Sequence, residues 1–308
     1  MIRTDEDRSS LQSALDAVCR WASESALVDF SVEKCVSLSL FSGGPPAPYL
    51  LRLPTGDVPL RPTVSERDLG VKVDHSLDFS DHVRDKVAKA RSVLGVIARC
   101  FRHLDSSSFL LLYKSLVRPH LEYCSPAWGS VGFGLSDLIE SVQRRATRLI
   151  PALRGLSYSE RLRRIGLVTL AYRRFRADLL TVRGLLSSPD LVGSSVLSLR
   201  PQDRTRGHTR MLEKVRHRTR VGKHFFSSRV CDLWNALPES CVSAPTLNGF
   251  KSELNVFFGD FPLKFDHRVR SARFAACRNG WSNGVVEWTR PRPVKKPVTN
   301  SSEYSLAN

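Results

Sequence analysis

The apolar residues of this 308-residue chain change their spacing near residue 80, and that change limits the possible fold more than any other feature. Before it, Cys35-Val36-Ser37-Leu38-Ser39-Leu40-Phe41 alternates with period two, as a half-buried strand does. After it, Val83, Val87, Ala90, Leu94, Ile97 and Phe101 share one arc at ~100° per residue, as in a helix laid against a core. A chain of this length with 42% hydrophobic residues can bury a sizeable core. Its longest apolar run, residues 109–113, falls far short of the roughly 20 residues a membrane span needs. The start, Met1-Ile2-Arg3-Thr4-Asp5-Glu6-Asp7, contains no apolar signal-peptide core. The expectation is a mainly α protein with a small α+β portion at its N-terminus, intracellular, in the nucleus or cytoplasm.

Residues 9–24 carry Leu11, Leu15, Val18 and Ala22 at helical spacing, with Ser9 or Ser10 as the N-cap. Gly43-Gly44-Pro45-Pro46 breaks the chain. Residues 49–53 and 58–60, joined by a turn at 54–57, predict a hairpin that Pro54, Pro59 and Pro62 confine to a sheet edge. Residues 69–73 predict a further short strand. Helices follow over 81–102, 107–116, 135–150, 158–165 and 167–186. In 135–150, Leu135, Leu138, Ile139, Val142, Ala146 and Leu149 cover one face, and Glu140–Arg144 opposite them forms a favourable i,i+4 pair. Pro151 stops that helix. The organisation expected is an α+β unit at 1–75, a helical bundle at 76–188, a basic linker at 189–222, a second helical segment at 223–260 and a disordered basic tail at 261–308.

Lys and Arg number 47 against 30 Asp and Glu, a net charge of +17. Residues 1–75 hold 8 basic and 11 acidic side chains, residues 76–190 hold 19 and 10, and residues 191–308 hold 20 and 9. The excess therefore begins near residue 80, where the run of successive helices begins, and it suits a polyanionic partner, nucleic acid before an acidic membrane. On the helix over 81–102, Arg84, Arg91 and Arg102 lie within roughly 20° of one another, and Arg99 some 60° further round. Arg144, Arg145 and Arg148 form a second cluster, Arg173, Arg174 and Arg176 a third. Each of these can serve equally as solvated surface or as one half of an internal ion pair. Arg216-His217-Arg218-Thr219-Arg220 is a short basic string of the phosphate-contacting or nuclear-targeting kind.

The seven cysteines are widely spread without C-x-x-C or metal-ligand spacing, so free thiols are expected. No nucleophile elbow, Walker loop, H-E-x-x-H or dinucleotide fingerprint occurs. A two-metal polymerase site needs clustered carboxylates, and the sequence contains no Asp-Asp pair. No catalytic residue and no metal ligand are therefore expected in these 308 residues.

One ordered series of motifs carries a resemblance. It runs from Leu11-Gln12-x-x-Leu15, Trp21 and Glu33-Lys34-Cys35 to Arg67-Asp68-Leu69-Gly70-Val71, Asp74, Leu77 and Phe79-x-x-His82. It continues through Leu112-Tyr113-Lys114-Ser115-Leu116-Val117-Arg118-Pro119-His120-Leu121-Glu122-Tyr123, Trp128 and Glu140-Ser141-Val142-Gln143-Arg144-Arg145-Ala146-Thr147-Arg148. Tyr158-x-x-Arg161-Leu162, Leu167-x-x-Leu170, Arg173-Arg174, Asp178-Leu179, Leu233-Trp234-Asn235-x-Leu237-Pro238 and Phe250-Lys251 close it. Together these residues, over about 11–258, resemble the C-terminal part of the reverse transcriptase of non-LTR retrotransposons of the LINE class, jockey-like in flavour.

The resemblance implies that residues 1–75 are the end of a polymerase palm, with the hairpin region that grips the primer, and that 76–188 are a helical thumb followed by a post-thumb segment. It implies an RNA-directed DNA polymerase whose Asp-Asp box, and the Mg²⁺ it binds, belong to a missing upstream portion. The chain itself would bind no cofactor and be inactive alone. The implied partners are RNA and RNA/DNA or DNA duplexes, with no membrane. The alternative is a domesticated, non-enzymatic RNA- or DNA-binding protein built from the same thumb. In either case the arginines of the three clusters are the nucleic-acid-binding candidates, since guanidinium forks suit phosphate and a thumb needs no sequence readout.

Overall fold

Three acidic residues open the first helix, and they set where it begins. α1 spans Asp5–Ser25, so its cap, Thr4, lies five or six residues before the expected N-cap at Ser9 or Ser10. Asp5, Glu6 and Asp7 complement the helix dipole in its first turn. Thr4 caps it, its hydroxyl accepting from Asp7 N at 3.1 Å while the Asp7 carboxylate accepts from Thr4 N. The computed structural model describes residues 4–25, 30–40, 48–101, 105–188, 196–201, 207–215, 217 and 219–269.

Among these residues the protein is mainly helical, with three two-stranded sheets near its start. β1 (Val36–Leu38) pairs in parallel with β4 (Arg61–Thr63). β2 (Leu50–Leu53) and β3 (Gly56–Pro59) form the predicted hairpin, and β5 (Ser65–Asp68) and β6 (Val71–Asp74) a second. α1 lies on β2 through Gln12, whose side-chain amide both donates to and accepts from the Leu50 backbone.

The bundle follows. α2 spans Ser80–Cys100, and α3 (Ser106–Leu112) runs through a π turn at Tyr113–Val117 into α4 (Arg118–Glu122). α5 is Ser125–Trp128, α6 Phe133–Thr147, α7 Tyr158–Arg164 and α8 Leu170–Leu185. Then come α9 (Arg220–His224), α10 (Phe226–Asn235), α11 (Glu239–Val242) and α12 (Leu247–Phe257). The α2 stripe is buried as expected from Val83 to Ile97, but Phe101 stands 46% exposed, because the helix ends at Cys100 before its arc can repeat.

Two apolar cores result. The first gathers Val83, Val87, Leu94, Phe109, Tyr113, Ile139, Val142, Leu162 and Leu170. The second gathers Phe175, Leu179, Val182, Val230, Trp234, Phe250, Leu254 and Phe258. α8 belongs to both, Leu170 in one and Phe175 onward in the other.

Polar groups inside the first core fix how its helices meet. Gln143 is fully buried; its carbonyl accepts from Tyr113 OH at 2.6 Å, and its amide donates to Tyr158 OH and to Val168 O, both at 2.9 Å. Glu140 does not pair with Arg144. It is fully buried at the N-terminus of α8 and accepts from Leu170 N at 3.0 Å, from Ala171 N and from Tyr158 OH. Burial pushes the Glu140 carboxyl above its ordinary value, against the pull of Tyr158 and Arg174. Arg144 turns instead to Asp137 at 2.9 Å.

Parts of the expected linker and tail are packed. Leu199 and Leu212 form an antiparallel bridge, and Leu197 and Leu212 are buried in the second core. Asn235 holds this bridge, accepting from Leu212 N and donating to Leu212 O, while Trp234 Nε1 donates to Arg210 O at 2.7 Å. Beyond 260, Phe261, Leu263 and His267 are buried, Thr169 N donates to Lys264 O at 2.8 Å, and His267 contacts Asp137 at 2.9 Å. The packed portion thus extends to residue 269, and the rest of the expected tail lies outside the described residues.

Replacing Gln143 by alanine strands the buried Tyr113 hydroxyl and the Val168 carbonyl. Destabilisation of about 3 kcal/mol is expected, read as a shift in the urea midpoint by circular dichroism. Arg145→Ala, on the exposed side of the same helix, should stay within about 0.5 kcal/mol of the parent.

Candidate nucleic-acid interface

α2 is the element that carries the most regular row of cations, and its position is fixed at its N-terminus by a single carboxylate. Asp74 accepts from Ser76 N at 2.9 Å, Asp78 N at 3.3 Å, Phe79 N at 3.0 Å and the Ser76 hydroxyl. These bonds outweigh burial and hold Asp74 below its ordinary value. They also stabilise Leu77 and Phe79 at φ +53° and +57°, a conformation that costs non-glycine residues about 1–2 kcal/mol each.

The first turn of α2 is then tied to the β5–β6 hairpin. His82 Nδ1 accepts from Lys72 N at 3.0 Å, and its ring rests on Trp128 at 5.7 Å. Trp128 Nε1 donates to Tyr123 O, and Tyr123 OH donates to Leu69 O at the hairpin tip, each at 2.8 Å. The tip turns through Leu69 and Gly70, both at positive φ; the Gly70 backbone lies close over the Tyr123 ring. Lys72–Asp81 and Arg67–Asp85 link the same two elements at their surface. The motif residues Gly70, Asp74, Phe79, His82, Tyr123 and Trp128 thus brace one joint.

The structure separates the ten candidate arginines. Arg84, Arg91 and Arg99 are exposed on α2, and Arg91 donates to Ser141 of α6 at 2.9 Å. Arg145 and Arg148, four and seven residues beyond Ser141, lie on the same side of α6 and are also exposed. None of these five has an acidic partner among the described residues. They form one basic band along the α2–α6 seam. Arg102 lies outside the described residues.

The other four point into the fold. Arg144 pairs with Asp137. Arg173 forks onto Glu122 of α4 through Nε and Nη2. Arg174 is buried, donates to Ser136 and faces Glu140, Asp178 and Glu122. Arg176 donates to the Asn255 side chain and Lys251 O on α12. Arg173, Arg174 and Arg176 therefore fasten α8 to its neighbours. Sequence inspection missed Arg229, which bridges Asp178 at 2.8 Å and Pro126 O at 2.6 Å, joining α10, α8 and α5. Its partner acid lies 51 residues away, beyond the reach of spacing rules.

The six described cysteines are free thiols. Among the described residues no cluster of three or more His, Cys, Asp or Glu is placed to hold a metal, and no helix is long and apolar enough to cross a membrane. An open cavity of about 470 Å³ between α1 and β2, lined by Asp16, Arg20, Glu24 and Arg52, brings together no catalytic constellation. Comparisons with protein-family models, with curated proteins and with solved structures find no match for this chain.

The joint under α2 gives a pH signature. Burial, with Lys86 and Arg67 nearby, pushes His82 from 6.5 to about 4, so the unfolded chain takes up its proton first as pH falls. Stability should drop between pH 6.5 and 4 by on the order of 2 kcal/mol. Urea midpoints measured across that range should show a flatter decline in His82→Gln than in the parent.

Proposed function

We propose that the chain is the nucleic-acid-gripping C-terminal part of a retrotransposon RNA-directed DNA polymerase, and that it holds a template–primer duplex by its backbone. The observation that carries this is the band of five exposed arginines on α2 and at α6, Arg84, Arg91, Arg99, Arg145 and Arg148, none of which pairs with a carboxylate among the described residues. Guanidinium forks on a rigid seam suit phosphate contacts that do not read sequence. The resemblance of the motif series to LINE-class reverse transcriptases supports the same reading. So does the bracing of α2 against the β5–β6 hairpin, which fixes the band relative to the residues that the resemblance assigns to the end of the palm. Catalytic carboxylates and their Mg²⁺ would come from polypeptide outside this sequence, which has no Asp-Asp pair.

Binding of a 20-base-pair RNA/DNA duplex, followed by anisotropy across a salt series, should give a log–log slope of roughly −4.5, since each of the five phosphate contacts contributes about −0.9. The double variant Arg84→Glu/Arg91→Glu should flatten that slope by about 2 units. Arg173→Gln, by contrast, should lower the unfolding midpoint and leave the slope of the folded protein unchanged. A parent slope near zero would remove nucleic acid from the proposal. Primer extension with Mg²⁺ should give no incorporation by this chain alone.

A further inference from the structure

Residues 214–231 hold six Lys or Arg and two His without a single Asp or Glu. Two of those cations are satisfied within the fold: Lys214 by Asp232, and Arg229 by Asp178. Lys223 and His224 are exposed at the end of α9, and neither has an acidic partner among the described residues. Beside them Phe225 stands 51% exposed.

That phenylalanine is presented by a rigid corner. Phe225 sits between α9 and α10 in extended conformation, at φ −60° and ψ 151°. Its N–H donates to Gly222 O, and its carbonyl accepts from Ser228 N and Arg229 N at 3.1 Å. On one side the turn is tightened by Thr219, whose hydroxyl accepts from Gly222 N at 3.1 Å. The His217 ring packs so closely on Gly222 that a Cβ there would come within 2.8 Å of it. On the other side Phe226 is covered by the Arg229 guanidinium at 5.3 Å, and Arg229 also donates to His224 O. Of two adjacent phenylalanines, one is therefore capped from within the fold, and the other is held out beside Lys223 and His224.

A fixed, exposed aromatic face next to an unpaired lysine and an imidazole is the chemistry that binds an unpaired nucleotide: the ring stacks on a base, and the ammonium and the imidazole N–H meet the flanking phosphates. A duplex keeps its internal base faces stacked and leaves only those of its two end pairs open to such a ring. We infer that the α9–α10 corner is a single-strand contact, with Phe225 as the stacking platform and Lys223 and His224 as phosphate contacts. It is separate from the duplex band on α2 and α6 and does not rest on it. Stacking and phosphate contacts use groups that RNA and DNA share, so both kinds of strand should be taken alike.

The test is anisotropy of the full chain with 20-mer oligo-dT and oligo-U, each against a blunt 20-base-pair duplex. Phe225→Ala should weaken both single strands about tenfold and leave the duplex within twofold, while Phe225→Tyr keeps parent affinity. In Phe225→Trp, adding oligo-dT should quench the fluorescence contributed by the new indole, measured against the parent. Unchanged single-strand affinity in Phe225→Ala, with or without an effect of Lys223→Glu, would overturn the inference. An equal loss on the blunt duplex would overturn it too. Phosphatidylserine vesicles are the control surface: Phe225-dependent vesicle binding without Phe225-dependent strand binding assigns the corner to a membrane and sinks the proposal. Because Phe225 is half exposed, thermal melting of Phe225→Ala should match the parent. The duplex reading fails or survives separately, through Arg84→Glu/Arg91→Glu.

Discussion

The buried pair Glu140 and Gln143 decides how the helices of the first core meet, and much else follows from it. One turn of α6 presents both side chains to the interior. There Glu140 satisfies the otherwise unpaired N–H groups at the start of α8, and Gln143 collects two tyrosine hydroxyls and the Val168 carbonyl. A helix N-terminus buried without such an acceptor would be costly. A carboxylate there also meets the positive end of the α8 dipole. Since α8 passes from one core into the other, fixing its first turn fixes both halves of the bundle in relation to α6.

Fixing α8 determines which cations are spent on structure. Arg173, Arg174, Arg176 and Arg229 lie on or against it, and each finds a carboxylate, a carbonyl or a polar side chain on another element. Buried arginine is tolerated only when so paired, because an isolated buried charge is prohibitively unfavourable. The outer sides of α2 and α6 have no such demand, since their acids are engaged elsewhere: Asp81 with Lys72, Asp85 with Arg67, Asp137 with Arg144 and His267, Glu140 with α8. Cations there remain uncompensated. The α2–α6 seam is thus one place where the net positive charge of the helical region stands at the surface without acidic partners among the described residues.

How much of this was legible in the sequence depended on whether the partner was local. The stripe Val83 to Ile97, the β2–β3 hairpin and the order of helices are set by spacing within one element, and they appear where the spacing places them. Glu140 was assigned to Arg144 because a helical wheel contains no residue outside its own helix, whereas the start of α8 arrives 30 residues later. Arg173, Arg174 and Arg176 resembled a free cluster for the same reason. The bridge at Leu199 and Leu212 has no periodicity of its own, because its hydrogen bonds are completed by the Asn235 side chain. Residues 261–269 are few and carry Pro262, and only their contacts with Thr169 and Asp137 reveal that they are packed.

The candidate interface shows the same division in sharper form. Spacing alone found Arg84, Arg91 and Arg99 on one side of α2, and no carboxylate among the described residues pairs with them. It could not reveal that Arg145 and Arg148 join the same band, because that needs the Arg91–Ser141 contact across the seam. Nor could it explain why motif residues such as Gly70, Asp74 and His82 matter: none of them faces the band. They hold α2 at a set position against the β5–β6 hairpin, through a strained turn and a neutral imidazole. A row of charges binds a rigid polyanion well only if the row is itself rigid, since otherwise each contact must also order its own support. The buried polar residues of this chain supply that rigidity, and the exposed arginines supply the charge.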